Sequence, residues 1–325
     1  MTRQCSAIYG QEFMTHDLGI HRENRARLEN AVAHLPGYVV RQAPGVASVA
    51  DLERVHDRRH IRMIEQFSSY DGLHYIDMNT YVTGESFQAA LYAAGSSIQA
   101  CERALDGEHC FALIRPPGHH AEPDRAMGFC LFNNAAVAAA WALEQVDRVA
   151  IIDWDLHHGN GTQKIFYQSD RVLFCSVHQS NAFPGTGWID EIGEGRGLGF
   201  TLNAPLLTGS TIDDYTLVFS EVFADAISHF RPDLIIVSAG QDPLTDDPME
   251  GMRLLPADFG VLARILMEVD DNPLALILEG GYGPSLGAAV AAIFGALHGD
   301  PVRMPFGDPR ESTRRTVAQL RKVLI

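Results

Sequence analysis

Basic residues are scarce in this sequence. Its 325 residues include 25 lysines and arginines against 41 aspartates and glutamates, which gives a formal net charge of −16 at pH 7 with histidine neutral. Proteins that bind nucleic acid need a basic patch that neutralises phosphates, and no run of Lys and Arg occurs before residue 311. We therefore expect no nucleic-acid partner. An acidic surface favours cationic small molecules or lysine-rich peptides instead.

Paired cysteines and long apolar runs are also absent. The cysteine count is odd and includes no C-x-x-C pair, so we expect reduced, mostly buried thiols of a cytoplasmic protein. The most apolar run, Leu286 to Leu297, is well short of the ~20 residues that a helix needs to cross a bilayer. The opening MTRQCSAIYGQEF lacks the apolar segment of a secretory signal, and we expect no membrane association. The cysteines are Cys5, Cys101, Cys110, Cys130 and Cys175.

The remaining composition is that of a folded protein. Hydrophobic residues make up 46% and charged residues 20% of the chain, a balance typical of globular rather than disordered sequences. A rule of about 150 residues per domain would suggest two domains. Because the sequence has no linker, internal repeat or low-complexity segment, we predict a single domain over residues 1–325. A homo-oligomer is compatible with this composition.

From about residue 86 onward, short apolar runs alternate with amphipathic stretches. Apolar runs of this length between helices are typical of a parallel sheet covered on both faces. The fold class that follows is α/β, with a mostly parallel, doubly wound sheet. The predicted strands are Phe111–Ile114, Val149–Asp153, Val172–Val177, Leu234–Ser238 and Leu274–Leu278. The predicted helices are Ser86–Arg103, Asn133–Glu144, Asp213–Phe230, Pro256–Glu268 and Ser285–His298.

Polar clusters follow four of these strands. The segments IRPPGHH, DWDLHHGN, SAGQD and LEGGYG each lie where a predicted strand ends. In open parallel sheets, chemistry gathers where strands end and loops begin. The long irregular stretch of residues 181–199, rich in glycine and proline, is a loop of the kind that is usually functional. The sequence therefore predicts a site at one edge of the sheet.

Three alternating residues, Asp153, Asp155 and His157, indicate a metal site. On an extended strand end they face one side, about 6–7 Å apart per pair. Two carboxylates and an imidazole suit a divalent metal such as zinc. Asp242, just past another strand, is the best candidate for a further ligand. A capping and turn cluster is the competing interpretation, and the position of Asp242 at a second strand end favours the metal.

Other polar side chains are weaker candidates for chemistry. Adjacent His119 and His120 could be metal ligands, a general base pair or polar loop residues, and neighbouring imidazoles disfavour each other's protonation. Tyr282 lies between glycines, where a phenol could donate to a developing oxyanion or simply pack on the sheet edge. His56 and His60 are interpreted as exposed helix positions without chemistry.

Several catalytic motifs are missing from the sequence. It has no G-x-S-x-G elbow and no P-loop. The glycines at 193, 195, 197 and 199 do not match the dinucleotide fingerprint. Cys175 ends a predicted strand and is interpreted as a buried core thiol.

Six segments, in this order, resemble the histone deacetylase and acetylpolyamine amidohydrolase family, and HHGNGTQ resembles its class II-type branch with bacterial or archaeal members. Each segment alone would be only suggestive, whereas six in register extend over nearly the whole chain. The resemblance implies an arginase-like α/β fold and a metal-dependent amidohydrolase that acts on linear amides. The segments are RPPGHHA (115–121), MGFCLFNNAAVAA (127–139), IIDWDLHHGNGTQ (151–163), AFPGTG (182–187), SAGQDPLTDDP (238–248) and LEGGYG (278–283).

The resemblance implies one Zn²⁺ ion per chain. Asp155, His157 and Asp242 match the zinc ligands of the family. An amide is a poor electrophile, and zinc would polarise its carbonyl and lower the pKa of water toward ~7. Members of the family also often hold K⁺ on backbone carbonyls, here around Asp153, Asp155, His157 and Ser176.

The resemblance also implies catalytic roles. His120 matches the general base that activates the attacking water, and His119 matches its electrostatic neighbour. Asp153 would partner His119, and Asn160 would partner His120. Tyr282 matches the tyrosine that polarises the acetyl carbonyl and holds the oxyanion.

The substrate would enter an apolar tunnel. By resemblance, Gly128 would accept the scissile amide N–H through its backbone carbonyl, while Phe129 and Phe183 would wall a passage for a methylene chain. Met249 stands at a gatekeeper position as in lysine deacetylases, although Glu250 is next to it. We expect hydrolysis of an N-acyl-lysine side chain, in a peptide or protein, to free amine and acetate. An acetylated polyamine is the alternative substrate.

The chain departs from the family pattern near its start. The family motif His-Pro-Glu-x-Pro-x-Arg is HRENRAR at residues 21–27, and the loss of both prolines leaves the shape of the rim loop open. Two other functions are less favoured. An arginase-type ureohydrolase would need ligands for a second metal, where this chain has His158 and Asn160. An inactive acyl-binding protein would have lost a ligand or the tyrosine, and neither is missing.

Overall fold

A sheet of eight parallel strands forms the centre of the computed structural model, which describes residues 4–269 and 271–323. The described strands are β1 Cys5–Ile8, β2 Val40–Gln42, β3 His74–Tyr75, β4 Tyr81–Val82, β5 His109–Ala112, β6 Val149–Asp153, β7 Val172–Gln179, β8 Thr201–Leu206, β9 Leu234–Ala239 and β10 Leu274–Leu278. Their order in the large sheet is β2-β1-β5-β10-β9-β6-β7-β8, and each neighbouring pair is parallel. Strands β3 and β4 form a separate antiparallel pair.

Helices surround the sheet, as the predicted fold class requires. The described α-helices are α1 Ala26–Ala33, α2 Val49–Leu52, α3 Arg58–Ser69, α4 Ser86–Leu105, α5 Asn134–Ala142, α6 Asn160–Phe166, α7 Ile212–Val218, α8 Ala224–Phe230, α9 Pro256–Val269, α10 Leu286–His298 and α11 Glu311–Leu320. Helix α4 packs on α5, and α10 packs on α9 and α1. The prediction of an α/β fold with a parallel sheet is confirmed. Within the described residues, no helix is both long enough and apolar enough to span a membrane.

The predicted core strands are present with small shifts at their ends. Strand β5 begins at His109, two residues before the predicted start, because it pairs with β1 from Cys5 onward. The predicted helix over residues 213–230 is α7 and α8 joined by a π-helical turn, Phe219–Phe223. Strands β1, β2 and β8 were not predicted. The first two are short, and β8 carries Asn203 and Pro205 within its run.

The core is continuous across the sheet. The inner strands are buried at every position, because helices surround the sheet. These strands are β5, β6, β9 and β10. All five cysteines are buried, which agrees with the prediction of mostly buried thiols. Trp154, directly after β6, is fully buried.

Helix α4 passes very close to the backbone of residues 45–47. A Cβ atom at Gly95 would lie 2.3 Å from the Ala47 nitrogen and 2.6 Å from the Gly45 oxygen. Helix propensity favours alanine over glycine by about 1 kcal/mol, whereas overpacking against a fixed backbone costs roughly 1–3 kcal/mol. We predict that Gly95→Ala lowers the Tm by several degrees in a thermal unfolding measurement.

The matched control is Gly295→Ala in helix α10. The nearest atom to a Cβ there is a side-chain oxygen of Asp300 at 3.2 Å, which can rotate away. Gly295→Ala should therefore leave the Tm unchanged or raise it. Equal effects of the two substitutions would contradict the close approach at Gly95.

Candidate active site

The polar segments predicted at strand ends meet at one edge of the sheet. Strands β5, β10, β9 and β6 are consecutive neighbours, so the loops after them converge although they are distant in sequence. Together they surround a cavity of about 130 Å³. Its lining residues are Asn79, Pro117, His119, His120, Gly128, Phe129, Asp155, His157, Phe183, Met249, Gly280 and Tyr282.

The volume of a cavity does not by itself identify the candidate active site of this protein. A larger cavity of about 840 Å³ lies beside β8 and α11. Its described lining includes one carboxylate, Asp190, and no histidine. The smaller cavity, by contrast, brings together the titratable groups that the sequence singled out, and it is the candidate active site.

Asp155, His157 and Asp242 form a metal-ligand group at the base of the cavity. Their ligand atoms all lie within 4.8 Å of one another. His157 Nδ1 is 3.2 Å from Asp155 Oδ1 and 3.0 Å from Asp242 Oδ2. Yet Asp242 Oδ2 is buried and has no aligned hydrogen-bond donor among the described residues. A histidine nitrogen held between two buried carboxylates, one of which keeps an oxygen without an aligned donor, is an arrangement that a shared cation would complete.

The charges of this group also favour a cation. Asp155 and Asp242 are both fully buried. Burial, and then the charge of Asp155, raise the pKa of Asp242 to about 7. Two buried carboxylates this close are unstable as anions unless a positive charge neutralises them. The carboxylate and imidazole donors therefore fit a divalent metal of the zinc type.

The tandem histidines have different partners. His119 Nδ1 is 3.0 Å from Asp153 Oδ2, and His120 Nδ1 is 2.8 Å from Asn160 Oδ1. Burial disfavours charge on His119, but Asp155 and Asp153 outweigh it and raise its pKa well above the usual value. Burial and the neighbouring charge of His119 hold the pKa of His120 well below it. Two adjacent imidazoles are thus biased toward opposite charge states.

Glu279 is a site residue that the sequence analysis missed. Its fully buried carboxylate accepts the backbone N–H of Gly118 at 2.7 Å and of His119 at 3.1 Å. Ser238 Oγ donates to its other oxygen at 3.3 Å. Burial raises the pKa of Glu279 to about 7. The available signal was a lone acid at the end of the apolar strand LALIL.

A second buried network links the start of the chain to the tyrosine loop. Arg115 donates to both oxygens of Glu23, at 2.6 and 2.8 Å, and Arg27 donates to Glu23 at 2.8 Å. Arg27 also donates to the Gly281 carbonyl, and its guanidinium carbon lies 4.6 Å from the centroid of the Tyr282 ring. Although burial opposes it, the two arginines lower the pKa of Glu23 to about 2. Arg27 of the HRENRAR segment therefore holds the Tyr282 loop in place through contacts with its backbone and with the face of the ring.

Aromatic rings wall the cavity. The ring of Phe129 meets Tyr282 edge to face at 5.7 Å between centroids, and Phe183 meets His120 in the same way at 4.9 Å. Phe129 has a φ of 70°, which is strained for a residue with a side chain. Its N–H donates to Thr80 Oγ1 at 3.1 Å. The bond to Thr80 and the packing on Tyr282 hold Phe129 in this conformation, with its ring at the cavity.

The rim is held by Asp247 and Arg22. Asp247 accepts the backbone N–H of Tyr282 through one oxygen and that of Met249 through the other. Arg22 Nη1 lies 3.2 Å from the Pro248 carbonyl oxygen and 3.2 Å from Met249 Sδ. Met249, which lines the cavity, is thereby held by the arginine that replaces the family's proline.

The interpretation of His56 and His60 as exposed was wrong. They are only 4% and 2% exposed, because both rings pack on Phe132. His56 contacts the Glu122 carbonyl oxygen at 3.0 Å through Nδ1, and His60 contacts the Leu131 carbonyl oxygen at 2.9 Å through Nε2. Through these contacts, His56 and His60 hold the loop that follows His119 and His120 in place.

The potassium site stays a prediction. Ser176 is the register partner of Asp153 on the neighbouring strand, so the backbone near both residues is close. The Ser176 hydroxyl bonds to His178 Nδ1 at 2.8 Å, so the predicted ion would depend on backbone carbonyls.

Comparison with known proteins identifies the family. Residues 21–297 match the histone deacetylase domain family. A probable deacetylase of Archaeoglobus fulgidus is 38% identical over 290 residues, covering 85% of this chain and 80% of that protein. The chain belongs to the histone deacetylase family and is a hydrolase.

A longer relative and a solved structure show the same relationship. Histone deacetylase 18 of Arabidopsis thaliana is 36% identical over 99% of this chain, which spans only 52% of that longer protein. The crystal structure of the HDA15 HD domain superimposes with a TM-score of 0.93 at 33% identity, covering 100% of this chain and 95% of that one. The similarity therefore includes the sheet and the loops that form the cavity.

We predict that the metal-ligand group binds one divalent ion per chain. Metal-free protein titrated with Zn²⁺ should show a rise in Tm, because binding to the folded state stabilises it. Asp242→Asn should abolish that rise and the bound metal found by elemental analysis. Asp190→Asn, at the larger cavity, is the control and should retain both. Normal binding by Asp242→Asn would remove Asp242 from the ligand set.

Proposed function

We propose that this chain is a zinc-dependent deacetylase that hydrolyses N-acetyl-lysine side chains of peptides or proteins to free amine and acetate. The observation that carries the proposal is the position of the metal-ligand group at the base of a narrow apolar cavity, with His120 and Tyr282 on its wall. Such a site can take one acyl amide on a methylene chain and leave the rest of the substrate outside.

Asp155, His157 and Asp242 would hold the zinc ion. When bound, zinc supplies a Lewis acid that polarises the amide carbonyl and makes water more acidic. The described residues supply the rest. Gly280 donates its N–H to Asp155 Oδ2 at 2.8 Å, and Leu156 donates its N–H to Asp242 Oδ1 at 2.9 Å. These bonds would hold the two carboxylates in place as ligands of the ion.

His120 would act as the general base. Burial and the neighbouring charges lower the pKa of His120 and favour a neutral ring, which could take a proton from the water that attacks the carbonyl carbon. His119, biased toward the charged form by Asp155 and Asp153, would stabilise the negative charge that develops beside it. The environment of each ring thus separates the two roles.

Tyr282 would donate a hydrogen bond to the amide oxygen as it becomes an oxyanion. Burial raises the pKa of its phenol well above the usual value, so the proton stays available for donation. Arg27 beneath the ring and Asp247 on its backbone N–H fix its position. The Gly128 carbonyl, on the cavity wall, would accept the amide N–H of the substrate.

The cavity wall favours acyl-lysine over acetylpolyamine. Asp155, at the base, is the single carboxylate among the described lining residues. The ammonium that remains on the unacetylated end of an acetylpolyamine would find no counter-charge along the wall. The Arg22 guanidinium, which contacts Met249 and has no carboxylate within 4.0 Å among the described residues, would also repel it.

We predict that Tyr282→Phe lowers kcat about 100-fold or more, the loss typical of a missing oxyanion donor. The ring and its packing on Phe129 are retained, so bound metal and Tm should stay at wild-type values. The measurement is acetate release from an acetyl-lysine peptide, with and without chelator. The control, Tyr75→Phe, changes an exposed tyrosine, 53% accessible, and should be fully active. An active Tyr282→Phe enzyme would remove the assigned role.

We predict that Arg22→Glu shifts selectivity toward N-acetylputrescine. A negative charge beside Met249 should attract the ammonium of the diamine. We expect kcat/KM for the diamine, divided by kcat/KM for the peptide, to rise about fivefold, which corresponds to a surface charge effect of about 1 kcal/mol. Arg25→Glu is the control, because Arg25 pairs with Asp17 and Glu29 instead of contacting the rim. The same shift in both variants would show that overall charge, and not the position of Arg22, is responsible.

A further inference from the structure

The side chain that contacts the proposed general base, His120, is an amide that can be oriented in two ways. His120 Nδ1 lies 2.8 Å from one terminal atom of the Asn160 side chain. An asparagine amide has an acceptor oxygen on one side and a donor nitrogen on the other. If the oxygen faces His120, then Nδ1 must carry the proton and Nε2 is free to accept one. If the nitrogen faces His120, the ring loses its value as a base.

The other terminal atom of Asn160 settles this choice. It lies 2.9 Å from Glu122 Oε1 and 3.5 Å from both the His120 carbonyl oxygen and Met127 Sδ. All three are acceptors, and an ionised carboxylate can only accept. The atom that faces them must therefore be the amide nitrogen. The short contact among the three is the one to Glu122.

Glu122 is well placed to impose this orientation. Its side chain is 18% exposed, and its second oxygen receives Lys164 Nζ at 2.7 Å. Asn160 and Lys164 are one turn apart on helix α6 and face the same side. The Glu122 backbone is tied to buried His56, which contacts its carbonyl oxygen. The carboxylate is thus held from both ends against one face of α6.

We propose that Glu122 is a positioning residue that orients the Asn160 amide and thereby fixes His120 in the tautomer with a proton on Nδ1. The chain of bonds runs from the Glu122 carboxylate to the Asn160 nitrogen, and from the Asn160 oxygen to His120 Nδ1–H. Nε2 is then the ring atom that can take a proton from water. The catalytic consequence rests on the proposed deacetylase function, whereas the tautomer does not.

The kinetic test removes the acceptor without changing the size of the side chain. Glu122→Met has no oxygen to receive the Asn160 amide, so we expect kcat for an acetyl-lysine peptide to fall about tenfold or more, in the range typical of residues that orient a ligand or base. KM should stay within about twofold. Glu122→Gln keeps an acceptor oxygen and should retain most of the activity.

The matched control is Glu53, which like Glu122 is a partly buried glutamate in an ion pair with a basic side chain. Glu53→Met breaks a contact with Arg58 and should leave kcat unchanged. Bound zinc and circular dichroism must match the wild type for every variant that is compared. Equal losses in Glu122→Met and Glu122→Gln would overturn the proposal, because charge rather than acceptance would then be responsible. A fully active Glu122→Met enzyme would overturn it as well.

The tautomer itself can be read without any activity. In ¹⁵N-histidine-labelled protein at about pH 8, where neutral imidazole dominates, the chemical shifts of the two ring nitrogens show which one carries the proton. His120→Gln identifies the signals. We expect a protonated Nδ1 in the wild type and a mixture in Glu122→Met. An unchanged tautomer in Glu122→Met would overturn the proposal, whereas wild-type protein with this tautomer but no acetate release would reject only the deacetylase function.

Discussion

Four carboxylates, those of Asp153, Asp155, Asp242 and Glu279, are fully buried at the carboxyl edge of the sheet. Burying a charge is costly unless donors or a counter-ion surround it. His119 compensates Asp153, and backbone N–H groups compensate Glu279. The remaining two share a histidine and leave one oxygen without a donor. This imbalance is the physical reason to propose a cation at that point.

The same carboxylates also set the behaviour of the histidines. His119 lies within reach of two anions and is biased toward the charged form, while His120, one residue later, faces a neutral amide. Identical side chains therefore differ in the charge state that their partners favour. In our proposal, Glu122 orients that amide from outside the cavity, and it is linked to His120 by two successive hydrogen bonds.

Loops converge on the cavity because buried ion pairs and short backbone bonds hold them. Glu23 joins Arg115 and Arg27, which extends to the loop of Tyr282, and Asp247 joins the same loop to Met249. Breaking a buried pair leaves an uncompensated charge, which costs more than the pair contributes. These bonds tie the loops together beneath the cavity, whereas Arg22 is exposed and contacts Met249 of the cavity lining.

The sequence by itself determined the inner strands, since strands buried on both faces must be apolar throughout. It also determined the candidate ligands Asp155 and His157, which follow one of these strands directly. The sequence did not predict β2 and β8, the two edge strands of the sheet, because a strand at an edge does not need a continuous apolar run. Tertiary structure alone decided the partners, because Glu23 reaches Arg115 across 92 positions and Arg27 reaches Gly281 across 254. It also buried His56, since exposure depends on what packs over a helix and not on the helix itself.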